Sequence, residues 1–207
     1  MCPATESPVA LVLASASPRR QELLAQIGLS FRVVVADVDE AVRDGEAPAD
    51  YVVRLARAKA LEVLRREGDG LPVLGADTAV ILGSEILCKP ADREEAEYML
   101  GRLSGRSHEV YSAVAVAVSE NEVFDRLNVT RVTFAELEPD WIRSYIETGD
   151  PMDKAGSYGV QGRAAARISR IEGSFSGVMG LPLFETSQLL EAAKCYSGSV
   201  PDSVFGA

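Results

Sequence analysis

The sequence predicts an α/β fold built on one mixed sheet, and three observations predict it. Short apolar runs alternate with segments whose apolar residues recur at helical spacing. Two alternating stretches, 110–118 and 123–134, flank a short turn at 119–122 and read as an antiparallel pair. No repeat and no linker divides the chain, so strands and helices share one core across a single domain at 9–195.

The elements follow in order. The run 9–14 reads as a buried strand that ends at small polar residues. Ser17 and Pro18 then supply a helix N-cap and a first-turn proline. That helix runs to about Gln26, with Leu23, Leu24 and Ile27 on one face, and Gly28 stops it. A second strand covers 31–35, and the acidic stretch 37–50 is a loop. Asp50 or a neighbour caps a long helix to about Arg66, in which Val52, Leu55, Ala56, Lys59, Ala60 and Val63 share a face. Strands are expected at 71–75 and 79–82, and Gly83-Ser84 turns the chain into a hairpin partner at 85–87. Residues 92–102 form a helix with an acidic first turn. Beyond the 110–134 hairpin, helices are expected at 139–148 and 183–194, with a strand at 164–171 between them. A flexible Ser/Gly/Pro tail closes the chain at 196–207.

Composition narrows the function. Of 207 residues, 31 are acidic and 21 are Lys or Arg, a formal charge of -10. Such a chain is unsuited to coating nucleic acid or anionic membrane, and a polyanion must be met in a pocket that concentrates its few bases. Apolar runs such as 114–118 fall far short of the ~20 residues that span a bilayer. The N-terminus lacks the basic start and apolar core of a secretory signal. Cys2, Cys88 and Cys195 are widely spaced ordinary thiols, which fits a reducing cytoplasm.

Several segments carry candidate chemistry. In Ser15-Ala16-Ser17-Pro18-Arg19-Arg20 a strand runs through a small-residue turn into a helix. Free N–H groups, two hydroxyls and two guanidiniums therefore gather at one helix start, as an anion site requires. Gly75-Ala76-Asp77-Thr78 sets Asp77 at the expected end of a strand, a frequent metal or base position. Lys89-Pro90 leaves the short hairpin. Residues 153–162 form a glycine-rich loop of fixed shape with an acid, Asp153, a base, Lys154, and an amide, Gln161. Residues 173–182 carry Gly173, Gly177 and Gly180 and read as a backbone-approach loop or a turn. Asp39 and Glu40, beside Asp77, would make a hard oxygen site suited to Mg²⁺ or Mn²⁺. Each segment alone has a plainer reading as a cap, a turn, a surface lysine or a connector. His108 is the only histidine and reads as structural, so neither a Ser–His–Asp apparatus nor a His-rich zinc site is available.

Together the motifs resemble the Maf family of nucleoside triphosphate pyrophosphatases. The matching pieces are Leu13–Arg20, Arg57-Ala58-Lys59-Ala60, Gly75-Ala76-Asp77-Thr78, Lys89-Pro90, Leu103-Ser104-Gly105-Arg106, Gly149–Gly156 and Gly180-Leu181-Pro182, in the family's order. The resemblance implies a two-lobed α/β fold with a central cleft, shared with inosine triphosphate pyrophosphatases. It implies cleavage of a nucleoside triphosphate to monophosphate and pyrophosphate with a divalent cation, in a small-molecule enzyme that forms a homodimer. It casts Asp77 as general base and Glu40 with Asp77 as ligands of Mg²⁺ or Mn²⁺. Ser15, Arg19, Arg20, Lys59 and Lys89 would hold the triphosphate, and Asp153 and Lys154 join the substrate-binding set. Arg19, Thr78 and Gln161 resemble the set that marks the dTTP/UTP branch rather than the 7-methyl-GTP branch. Chemistry agrees, because the glutamine amide offers a donor and an acceptor to the N3–H and carbonyls of uracil or thymine. One stretch departs from the family: Gln161 is followed by Gly162-Arg163-Ala164-Ala165-Ala166, and Arg163 reads as a phosphate contact or a solvated charge. A nucleotide-binding regulator of septation without catalysis is the alternative from another class, and the intact acid and lysine set argues against it.

Overall fold

A computed structural model describes residues 9–195; Cys2 and the tail expected at 196–207 lie outside the described residues. Strand β1 (Leu11–Leu13) pairs in parallel with β2 (Phe31–Val33) and with β3 (Val73–Leu82). The hairpin strand β4 (Glu85–Leu87) folds back antiparallel on the end of β3. The long antiparallel strands β5 (Ser107–Ser119) and β6 (Glu122–Phe134) continue the sheet, and β7 (Ile168–Glu172) closes it. The order is β2-β1-β3-β5-β6-β7, a mixed sheet as predicted.

Helices α1 (Pro18–Gln26), α2 (Pro48–Glu67), α3 (Arg93–Leu103), α4 (Pro139–Glu147), α5 (Phe175–Met179) and α6 (Leu183–Ala192) flank it. The apolar face of α2, with Leu55, Ala56, Ala60 and Val63, packs on Val12, Ala79, Ala113 and Ala115. On the opposite face Leu23 and Leu24 of α1 and Leu189 and Leu190 of α6 meet Leu13, Leu74 and Val116. A further cluster joins α3 and α4 to the far end of the sheet through Leu100, Leu103, Phe134, Tyr145 and Tyr158.

Four local readings are corrected. The strands expected at 71–75 and 79–82 are one, because β5 pairs without a break through Ala76, Asp77 and Thr78. Asp77 therefore sits in mid-strand, not at a strand end. Helix α2 begins at Pro48 with Ala47 at the N-cap, so Asp50 lies inside its first turn. The strand expected from residue 164 starts only at Ile168, since Arg163–Arg167 winds as a 3-10 turn. The 173–182 loop contains a short helix, α5, capped where Gly177 N–H donates to Ser174 Oγ at 3.0 Å.

Two features of β3 build the site. Gly75 faces α2, and a Cβ there would lie 2.3 Å from Ala56 O and 2.7 Å from Ala60 N. Only glycine allows this approach, which sets Lys59 of α2 over Asp77, on the same face of the strand. Strand β1 pairs with β3 only at Val73 and Leu74, and β4 only from Val80 to Leu82. Both use the edge opposite β5, so residues 75–79 have no strand beside them there.

Candidate functional site

The gap between β1 and β4 opens into a cleft of about 900 Å³. Every residue that the family resemblance assigns to the site lines it. Ser15, Arg19 and Arg20 enter from the start of α1, and Glu40 from the loop before α2. Lys59, Asp77, Thr78 and Lys89 form the floor and one wall. Asp153, Lys154 and Gln161 close it from the segment after α4.

The acidic pair is organised by Lys59. Its ammonium donates to Asp77 Oδ1 at 2.7 Å and meets Glu40 Oε1 at 2.6 Å. The Lys59 and Asp77 side chains are each 10% exposed, whereas Glu40 is 51% exposed. Burial pushes the Asp77 carboxyl above its usual range, and the charges of Lys59 and Arg20 offset only part of that push. Burial acts the same way on Glu40, but there the Lys59 hydrogen bond and the charges of Lys59, Lys89 and Arg20 prevail and hold it low. Two acids share one cation, and their pKa values are displaced in opposite directions. The Lys59 ammonium, expected to meet the phosphates, engages both carboxylates and lines the cleft.

Arg20 forms the other wall. Its Nε donates to Gly180 O at 2.8 Å, Nη1 to Ser15 Oγ at 3.2 Å and Nη2 to Thr78 Oγ1 at 3.4 Å. Ser15 Oγ also accepts from Ser17 N–H at 3.2 Å, fixing the turn into α1. Thr78 shares a 2.8 Å hydrogen bond with Ser112, which is fully buried on β5. Burial lowers the Arg20 pKa, opposed by the charges of Asp77 and Glu40. Arg19 reaches across the opening to Asp153 at 3.9 Å. Lys89 is exposed on its loop. Lys154 is bound by Asp150 O at 2.5 Å, Asp150 Oδ1 at 3.0 Å and Asp153 Oδ1 at 2.7 Å, so it pins its own loop.

The remaining candidates divide. Asp39 accepts from Ala41 N–H at 2.9 Å and shapes the loop that carries Glu40. His108 is buried, bonded through Nε2 to the Tyr158 hydroxyl at 2.7 Å and stacked on Phe134. Burial draws its pKa down to about 4, and it lines no part of the cleft, as a structural residue should. Arg163 is exposed and reaches Ser144 O at 3.4 Å outside the cleft, so it is not placed to touch a phosphate.

The donor set suits one hard cation. Glu40 and Asp77 meet the same Lys59 ammonium, and each has a second oxygen beyond the one that meets it. Among the described residues no group of three or more His, Cys, Asp or Glu gathers, so water and substrate phosphates would have to complete the coordination, as Mg²⁺ prefers.

A family model described as Maf-like protein matches residues 10–193. The chain belongs to the Maf family. A relative from Symbiobacterium thermophilum, named dTTP/UTP pyrophosphatase, is 54% identical over 87% of this chain and 92% of its own length. One from Escherichia coli O6:K15:H31, with the same name, is 51% identical over 87% of this chain and 91% of its own. Among solved structures, a HAM1 protein from Coxiella burnetii matches with a TM-score of 0.42 at 24% identity, over 60% of this chain and 72% of that one.

Sequence reasoning missed residues that line or support this Maf cleft. Tyr51 of α2 donates from its hydroxyl to Glu40 O at 3.1 Å and fixes the acid's backbone; burial raises its pKa. The sequence offered only its aromatic character at a helical position. Arg54 clamps the same loop through Glu46 and Ala41 O. Ser112 was detectable as a serine set against the apolar run 113–118 of its strand. Among the described residues no helix is long and apolar enough to cross a membrane.

Proposed function

We propose that this Maf protein hydrolyses dTTP and UTP to the nucleoside monophosphate and pyrophosphate. The observation that carries the reading is that Glu40 and Asp77 share one cleft with Ser15, Arg19, Arg20, Lys89 and Gln161. Relatives about half identical to it bear the name of that activity.

The triphosphate, with about four negative charges, lies against Arg19, Arg20, Lys89, Ser15 and the free N–H groups at the start of α1. Glu40 and Asp77 would hold Mg²⁺ or Mn²⁺. When bound, such an ion polarises a phosphoryl oxygen and makes a water more acidic. Asp77 takes the proton of the water that attacks the α-phosphorus. Lys59 keeps the two acids charged side by side. Arginine and lysine offset the charge that grows on the departing pyrophosphate. Gln161 offers one donor and one acceptor to the pyrimidine edge.

A panel of nucleotides assayed with and without Mg²⁺ or Mn²⁺, with both products identified, tests the reading. Metal-dependent release of pyrophosphate and monophosphate from dTTP and UTP is expected, and Asp77→Asn should bind nucleotide without turning it over. A preference for 7-methyl-GTP, or binding without pyrophosphate release, would overturn it.

A further inference from the structure

The segment that carries Gln161 is a tight turn. Gly162 N–H donates to Gly159 O at 3.2 Å, so Val160 and Gln161 are its two corner residues. Val160 is anchored among the apolar residues beneath α5 and α6, Gln161 beside it is exposed, and both line the cleft. One hydroxyl outside the cleft secures the turn's first residue. Tyr145 of α4, fully buried, accepts from Gly159 N–H at 3.0 Å and donates to Asp150 Oδ2 at 2.6 Å. Asp150 secures the other end by contact: a Cβ on Gly162 would lie 2.8 Å from Asp150 Oδ2. The carboxylate is held from its far side by Lys154, whose ammonium also bonds the Asp150 carbonyl. The two glycines, the carboxylate and the phenol form one rigid bracket.

We propose that Tyr145, through Asp150, is a positioning residue for base recognition, holding the Gly159–Gly162 turn so that the Gln161 amide meets the pyrimidine edge. This deepens the reading above and rests on it. Tyr145 touches no part of the cleft, and its hydroxyl acts only through the turn. Losing that hydroxyl leaves the buried Gly159 N–H and one Asp150 oxygen without a partner, and the turn relaxes. Binding of the base then weakens, while the acids and guanidiniums that act on the phosphates keep their places.

Tyr145→Phe, which preserves the ring packing, and Asp150→Asn test this with two readouts. By hydrogen exchange, the 158–162 segment should lose protection in Tyr145→Phe while β3 and α2 keep theirs. Unchanged protection overturns the proposal whatever the activity. In steady-state kinetics on dTTP and UTP, both variants should raise KM about tenfold with kcat changed less than threefold, as expected when ground-state recognition is lost. Tyr145→Phe should add little to the KM of Gln161→Ala; fully additive losses, or a fall confined to kcat, also overturn it. A wild-type enzyme inactive on dTTP and UTP would instead remove the functional reading, and the exchange measurement alone would then decide whether Tyr145 holds the turn.

Discussion

Lys59 Nζ stands 2.7 Å from Asp77 Oδ1 where α2 crosses the middle of β3. The contact joins the long helix that covers that face to the acid at the centre of the cleft. It also sets the ionisation of the site, because the same ammonium meets Glu40.

Lys59→Met should therefore act on both stability and pH dependence. Two neighbouring acids lose their shared cation, and an uncompensated buried carboxylate costs about 3 kcal/mol. Removing a cation disfavours the charged form of Asp77, so the acid limb of kcat/KM should move to higher pH. Urea denaturation and a pH–rate profile check both; a limb that stays in place would mean Asp77 is not the titrating group.

Arg20→Lys should raise KM for nucleotide at least about tenfold despite keeping the charge, since an ammonium cannot reproduce a planar fork aimed at several acceptors. The guanidinium bonds Gly180 O, Ser15 and Thr78 at once. The loss should be similar whichever base is attached. A selective loss on pyrimidines would reassign Arg20 to the base.

Gln161→Glu should lower kcat/KM on dTTP and UTP by about tenfold or more, because a carboxylate has no proton to donate to a pyrimidine carbonyl and a mismatched hydrogen bond costs ~1–3 kcal/mol. Competition between nucleotides in one assay reads the change directly. Unaltered preference would remove Gln161 as a base reader.

Gly75→Ala should destabilise the fold by about 3 kcal/mol or more, the upper range for overpacking, since the atoms met are main chain and cannot rotate away. Displacing α2 would also separate Lys59 from Asp77. Thermal unfolding together with turnover measures the two effects, and a variant as stable as wild type would show that α2 yields more easily than its packing implies.

His108 supplies a pH prediction with a definite sign. Its folded pKa of about 4 lies below the ordinary 6.5, so the unfolded chain binds the extra proton first. Stability from this group is complete above the unfolded value and is lost as pH falls toward the folded one. By pH 5 the loss should reach about 2 kcal/mol relative to pH 7. Denaturation of wild type and His108→Gln at both pH values isolates it; equal pH dependence in the two proteins would refute the assignment.

The parts of this site that are local in sequence were readable. Ser15, Arg19 and Arg20 announce themselves because a Ser-Pro pair opens a helix directly after an apolar strand. Lys59 left a trace too, as a lysine on the apolar face of an otherwise regular amphipathic helix. Asp77 was placed wrongly within its element, since what carries β3 through residue 77 is pairing with β5, far along the chain. The ties made by Tyr145 and Tyr51 were invisible for a similar reason. A buried tyrosine at helical spacing looks like any core aromatic until its hydroxyl's partners are known. The alanines at 164–166 misled by composition, and no local pattern separates a 3-10 turn from the start of a strand there.

Strand alternation sends the Asp77 side chain to one surface of the sheet and Thr78 to the other, yet a single molecule in the interruption beside β3 can reach both. Main-chain polarity follows the same rhythm. Pro72 and Leu74 direct their carbonyls toward β1, where Val12 and Ala14 N–H groups donate to them, so Ala76 and Thr78 direct their own amides and carbonyls into the interruption. A guest there meets hydrogen-bonding groups that belong to every amino acid alike. That portion of its recognition is written in the backbone, and side-chain substitution cannot erase it.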